Sequence, residues 1–118
     1  MAGQEIKPFQ IEKPWGNFRQ FVHNLSSTVK ILTVNANEEL SLQSHAKRSE
    51  FWKIIQGDGV MEMNGVKYSL KEGDESNISA GSTHRITAGP NGVKVLEICT
   101  GDFDEEDIIR YEDKYGRK

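Results

Sequence analysis

Gln43, His45, Glu50 and His84 are the residues whose types and spacing could do chemistry. Gln43 and His45 stand two apart. Four residues separate His45 from Glu50, and six separate Glu50 from Gly57. A second cluster runs from Gly73 through Ser79-Ala80-Gly81 to His84. One carboxylate, two imidazoles and an amide oxygen make a mixed nitrogen and oxygen donor set. Such a set suits a borderline divalent ion, zinc first, with manganese, cobalt, nickel and iron as alternatives. It points to metal-assisted chemistry on a small polar molecule. A lone Gln-x-His, or a lone histidine, is more often a surface or hydrogen-bonded group. The joint spacing, with glycines at 57, 73 and 81 in matching turn positions, is what makes a site.

These donors need strands to position them. Residues two apart on a strand share a face, so Gln43 and His45 point the same way, as do Glu50, Trp52, Ile54 and Gln56. Short strands are expected over residues 28–34, 40–45, 50–56, 60–63, 66–70, 84–87 and 93–100. Asn64-Gly65 between two of them is a strong hairpin signal, because both residues tolerate the positive φ of a type I′ turn. Gly57-Asp58-Gly59 and Gly89-Pro90-Asn91-Gly92 read as further turns. Only the tail looks helical, with Asp102 or Asp104 as cap of a short turn through Ile108 and Ile109. Many short strands with regular turns imply a sandwich or small barrel, which also protects strand edges.

The bulk properties fit one domain. A chain of 118 residues can bury a modest core. A net charge of −3 argues against a broad nucleic-acid surface, though not against a small anion held by local cations. No apolar run approaches the ~20 residues a membrane helix needs, and the first residues have no signal-like apolar stretch. The expectation is a soluble, cytoplasmic protein that touches neither membrane nor nucleic acid. The single cysteine, Cys99, lies in an apolar run and reads as a buried, inert thiol.

The motif resembles the cupin superfamily, small β-barrels with two short signatures. Asn37 stands for the leading glycine of the first and Gln43 for its first histidine, while Ser79 and Ala88 replace a proline and an asparagine of the second. The Gln-x-His pair is similar to zinc-type phosphomannose isomerases rather than to His-rich iron dioxygenases. The chain also resembles the C-terminal isomerase domain of bifunctional mannose-1-phosphate guanylyltransferase/mannose-6-phosphate isomerases. The carrying segments are Lys13-Pro14-Trp15-Gly16, residues 40–45, Arg48-Ser49-Glu50-Phe51-Trp52, residues 81–85, Leu96-Glu97-Ile98, and the tail at 106–110 and 113–117. One departure stands out: where that family has three further histidines around the first motif, this chain has Ala46, Lys47 and Phe51.

The resemblance implies an all-β fold: one cupin domain over 1–118, a double-stranded β-helix or jelly-roll barrel. It would carry an N-terminal arm over 1–12 and a charged, partly helical tail over 102–118. It implies one divalent metal on Gln43, His45, Glu50 and His84, and interconversion of mannose 6-phosphate and fructose 6-phosphate through an enediol. Glu97, an acid in an apolar strand, is the expected base, with Arg48 beside the ligands. Lys30, Arg85, Arg110 and Arg117 are the candidate phosphate cations, Arg85 the weakest because alternation turns it away from His84. Trp15 and Trp52 are expected to pack in the core. The chain reads as a stand-alone domain without the nucleotidyltransferase portion, and its arm as a strand to add to a partner in a homodimer. Two other readings stay open: a cupin that binds a sugar phosphate without turning it over, and a cupin enzyme for another small polar substrate.

Overall fold

A computed structural model describes residues 3–118. Nine strands make it up: β1 (Phe9–Lys13), β2 (Gly16–Gln20), β3 (Ser27–Val34), β4 (Leu42–Ser44), β5 (Arg48–Met63), β6 (Val66–Lys71), β7 (Glu75–Ile78), β8 (His84–Gly101) and β9 (Ile109–Glu112). Two long antiparallel strands, β5 and β8, form the spine. The first half of β5 and the second half of β8 carry one layer, in the order β3–β8–β5–β7. Their other halves carry the second layer, in the order β6–β5–β8–β4–β9. The core lies between the layers, built from Val34, Trp52, Ile54, Met61, Ile78, Ile86, Val93 and Val95. This is the double-layered all-β barrel that the strand pattern implied.

The two long strands change layers without ending. The β5–β8 register shifts between Ile54 and Gln56 and again between Gly57 and Gly59. Gly57 has φ +78°, and a Cβ there would stand 2.2 Å from the Gly92 carbonyl oxygen. Glycine is therefore required where the two bulged backbones cross. The glycine clusters that read as turns are thus corners inside continuous strands. The Asn64-Gly65 hairpin forms as expected, with φ of 50° and 84°. Asn37, in the place of a motif glycine, sits at φ 62°, a left-handed conformation that asparagine tolerates better than most residues.

Three expectations are corrected. The tail forms no helix. The Asp104 carboxylate accepts from Glu106 N at 2.9 Å and its carbonyl from Asp107 N at 3.0 Å, closing a turn. The chain then extends into β9, which pairs with β4. Residues 9–12 are not a free arm but half of a hairpin, with Phe9 opposite Gln20 and Ile11 opposite Phe18. Trp15 lies at that hairpin's tip and is 73% exposed, whereas Trp52 is in the core as expected. No helix among the described residues is long and apolar enough to cross a membrane.

Candidate metal centre and cavity

The inner face of the first layer grades from apolar to polar along the strands. Leu32, Val95 and Ile54 lie in one cross-strand row, Lys30, Glu97 and Trp52 in the next, and Thr28, Cys99 and Glu50 in the third. The last two rows open into a cavity of about 270 Å³, which His45, His84, Gln43, Arg48, Arg110 and Arg117 also line. A larger open groove of about 500 Å³ runs past Val60, Ser69 and Thr87 on the second layer, away from these groups.

His45, Glu50 and His84 are buried together, with potential donor atoms all within 4.8 Å of one another. The Nε2 atoms of His45 and His84 stand 3.3 and 3.4 Å from the two Glu50 oxygens. Each ring gives its other nitrogen to the backbone. His45 Nδ1–H donates to the Asp107 carbonyl at 2.7 Å, and His84 Nδ1–H to the Ser82 carbonyl at 3.1 Å. That bonding places a proton on each Nδ1 and turns each Nε2 toward the Glu50 carboxylate, where it could ligate a metal. Burial pulls His45 below the ordinary imidazole value, which favours the neutral form. Gln43 is the cross-strand partner of His84 and donates its amide nitrogen to Ser41 O at 3.4 Å, leaving its oxygen as the spare acceptor.

Glu50 Oε1 is buried without a hydrogen-bond partner among the described residues. An orphaned buried carboxylate oxygen beside two imidazoles costs free energy unless a cation satisfies it. The residues therefore fit a divalent ion. Arg48 compensates in part: its Nε donates to Glu50 Oε2 at 3.1 Å and its Nη2 to His45 Nε2 at 3.2 Å. Burial alone would raise Glu50, but His84, His45 and Arg48 outweigh it and hold the carboxyl below its ordinary value.

Glu97 behaves in the opposite way. It accepts from Trp52 Nε1 at 3.1 Å and from the Cys99 thiol at 3.5 Å. Burial first, and then the nearby Glu50 charge, push it up to about 7. The Cys99 thiol is raised by burial and by both carboxylates, so it stays a protonated, inert group.

The sequence-predicted cations divide. Lys30 lines the cavity, pairs with Glu105 at 2.7 Å and sits over the Phe103 ring. Arg117 lines it too and is held by Asp113 in a two-pronged contact. Arg110 lines it with a buried Nε that has no partner among the described residues. Arg85 does not reach the cavity. It points outward into Glu39, Glu62 and Glu112, at 2.9 to 3.1 Å, because it alternates with the inward His84. Ala46 and Lys47 are exposed, their backbone amides donating to the Asp107 carboxylate at 2.9 Å. Phe51 packs with Ile6 and Ile98 on the outer face. The three positions that lack the family's histidines therefore lie outside the donor cluster.

Sequence reasoning missed the tail's role in holding the site. The Asp107 carbonyl orients His45, and Tyr111 meets Ser44 at 2.9 Å. The signal was the run Asp104-Glu105-Glu106-Asp107, which could partner the histidine and cations of residues 45–48 only once topology was known.

The model of the mannose-6-phosphate isomerase C-terminal domain matches residues 4–113. A mannose-1-phosphate guanylyltransferase of Klebsiella pneumoniae is 36% identical over 110 residues, covering 92% of this chain and 23% of that protein. Mannose-1-phosphate guanylyltransferase ManC of Salmonella typhimurium is 32% identical, with the same coverage. This chain thus spans about a quarter of the length of those relatives. Among solved structures, a cupin protein from Bacteroides fragilis superposes with a TM-score of 0.60 at 22% identity, covering 69% of this chain and 74% of that one.

Proposed function

The chain belongs to the mannose-6-phosphate isomerase C-terminal domain family, and from that premise we propose that it interconverts mannose 6-phosphate and fructose 6-phosphate. The observation that carries the reading is the pairing in one cavity of a buried carboxyl raised to about 7 with a His/His/Glu donor cluster. Gln43, His45, Glu50 and His84 would hold the metal, zinc first. When bound, a divalent ion supplies Lewis-acid polarisation of the substrate's carbonyl and hydroxyl oxygens.

The chain's own residues do the rest. Glu97, ionised, takes the proton from C2 of the open-chain aldose and returns it to C1, while the hydroxyl proton passes from O2 to O1. A pKa near operating pH is what such a two-way transfer needs, and a positioned base contributes about 10²–10⁴-fold. Trp52 Nε1–H holds the carboxyl in place. Arg110, with Arg117 and Lys30 beside it, binds the phosphate at the mouth; its unpartnered Nε favours it as first contact. Arg48, buried against Glu50 and His45, keeps the acid ionised and the donors in place.

Arg48 also favours a second reading, a domain that binds a sugar phosphate without turnover. Its guanidinium occupies the very donor atoms a metal needs. A coupled assay for fructose 6-phosphate from mannose 6-phosphate separates the two. Turnover supports the isomerase, and saturable binding with no turnover of any hexose phosphate overturns it in favour of the binding domain.

A further inference from the structure

Four lysine and arginine side chains line the cavity, and three of them are already paired with a carboxylate in the free protein. Arg48 donates to Glu50 at 3.1 Å, Arg117 to Asp113 at 2.8 and 2.9 Å, and Lys30 to Glu105 at 2.7 Å. Arg110 is the fourth, its Nε unpartnered among the described residues. An entering anion must therefore use Arg110 alone or take a cation from one of these carboxylates. The three are not held equally. Glu50 is buried in the donor cluster. Asp113 has no exposed side-chain surface and also accepts the backbone N–H of Arg117 at 2.6 Å. Glu105 has neither anchor: 75% of its side chain is exposed, and a single oxygen meets Lys30.

The chain around Glu105 lets it leave without disturbing Lys30. Residues 102–107 hold five carboxylates. Those of Asp104 and Asp107 are occupied by backbone N–H groups, of Glu106 and of Ala46 and Lys47. Among the described residues, Glu105 is the member of this run whose carboxylate pairs with a cavity cation. Lys30 holds that carboxyl below its ordinary value, so it is fully charged in neutral solution. Phe103 supports the ammonium from the other side, its ring centroid 4.4 Å from Lys30 Nζ and 4.4 Å from the Arg48 guanidinium. The main chain is tied down separately, through the Asp104 carbonyl to Arg48 at 3.3 Å and the Asp107 carbonyl to His45 at 2.7 Å. When the Glu105 side chain swings into water, the ring, the ammonium and the loop stay in place. Breaking so exposed an ion pair costs little.

We propose that Glu105 is an exchangeable counter-ion at the phosphate end of the cavity: it neutralises Lys30 in the free protein, yields it to the phosphate of an incoming sugar, and reclaims it when product leaves. The inference rests on the sugar-phosphate reading and adds to it a residue that sets affinity by competing with the ligand. A carboxylate carries one charge and a phosphate monoester close to two. Exchanging one carboxylate for another gains nothing, whereas exchanging a carboxylate for a phosphate does. A neutral sugar has no claim on Lys30 at all.

Chemical-shift titration of methyl phosphate into the full chain tests the exchange, at about pH 8, where a phosphate monoester is a dianion. Glu105→Gln is expected to bind methyl phosphate roughly two- to fivefold more tightly than the wild type, the range that an exposed ion pair spans. In a Lys30→Met background the same substitution is expected to change nothing, because its effect runs through that one partner. A gain in affinity is a result that local damage does not produce. Glu105→Ala, at the same exposed position, is expected to reproduce it should Glu105→Gln fold poorly. Equal affinity in the wild type and the Glu105 variants overturns the inference while leaving the phosphate site standing. So does a gain that persists without Lys30. A wild type that binds no methyl phosphate overturns the sugar-phosphate reading and this inference with it.

Discussion

Glu50 and Glu97 face one cavity from adjacent strands and titrate in opposite directions. Arg48 and two imidazoles surround Glu50 and keep it ionised, whereas burial and the Glu50 charge push Glu97 up to about 7 against the Trp52 N–H and the Cys99 thiol that donate to it. Two carboxyls whose environments drive them apart fit the proposed division of labour, in which Glu50 would serve as an anion for a cation and Glu97 as a proton carrier.

This division sets the pH dependence of stability in chelator-stripped protein. Glu97 is raised from an ordinary 4.5 to about 7, so its stabilising contribution is complete below pH 4.5 and lost as pH rises through 7. Glu50 is depressed, so its contribution is complete above pH 4.5 and lost on acidification below that value. Calorimetry should find the stripped protein's thermal midpoint falling between pH 5 and 7 by a path that Glu97→Gln abolishes. Metal loading should flatten the same decline by neutralising Glu50. An unchanged slope in Glu97→Gln would mean that another group titrates there.

Trp52→Phe tests how the base is held. The indole N–H lowers Glu97, so removing it should raise the carboxyl further. The acidic limb of the pH–rate profile should move to higher pH, with substrate KM nearly unchanged. A uniform loss of kcat at constant pH profile would assign Trp52 to packing alone.

Asp107 touches no ligand atom of the metal, yet it holds His45 through its carbonyl and the 46–47 backbone through its carboxylate. Groups behind the ligands typically contribute 10–100-fold to metal affinity. Asp107→Ala keeps that carbonyl but frees the 46–47 backbone pinned by the carboxylate, and should weaken zinc binding by up to about that factor in a competition titration with a chromophoric chelator. His84→Ala should lose more, and wild-type affinity in His84→Ala would argue against the donor set.

The cations separate cleanly in a kinetic comparison. Arg110→Ala should raise KM for the phosphorylated sugar about 10–100-fold, the range expected for a charged hydrogen bond, while kcat changes little. Arg85→Ala should leave both constants alone, because that side chain is spent on Glu39, Glu62 and Glu112. Equal effects from both substitutions would point to a general loss of positive potential instead of a phosphate contact.

Local signals carried the barrel and the donor cluster into view. The Gln43/His45 and Glu50/Trp52 pairs obey strand alternation, and Asn64-Gly65 can hardly be anything but a hairpin. Where glycine marked a corner instead of an end, at Gly57 and Gly89–Gly92, local reasoning cut two long strands short, since a bulge and a turn demand the same residue. The tail failed for a related reason. Asp104 is as good a cap for an isolated turn as for a helix, and only pairing of Ile109 and Arg110 with β4 decides between them. Arg110 and Arg117 were legible as cations, but their place at the mouth depends on that pairing. The β1–β2 hairpin was missed because its apolar residues, Phe9, Ile11 and Phe18, find no cover within the chain.

The central claim is tested most directly by turnover of mannose 6-phosphate to fructose 6-phosphate. Protein stripped by chelator would be reloaded in turn with zinc, manganese, cobalt, nickel or iron. The expected result is no turnover in the stripped protein, turnover restored by at least one metal, and its loss in both His84→Ala and Glu97→Gln, with Glu97→Gln still binding the metal. Stoichiometric metal binding with no turnover of mannose 6-phosphate under any loading would contradict it.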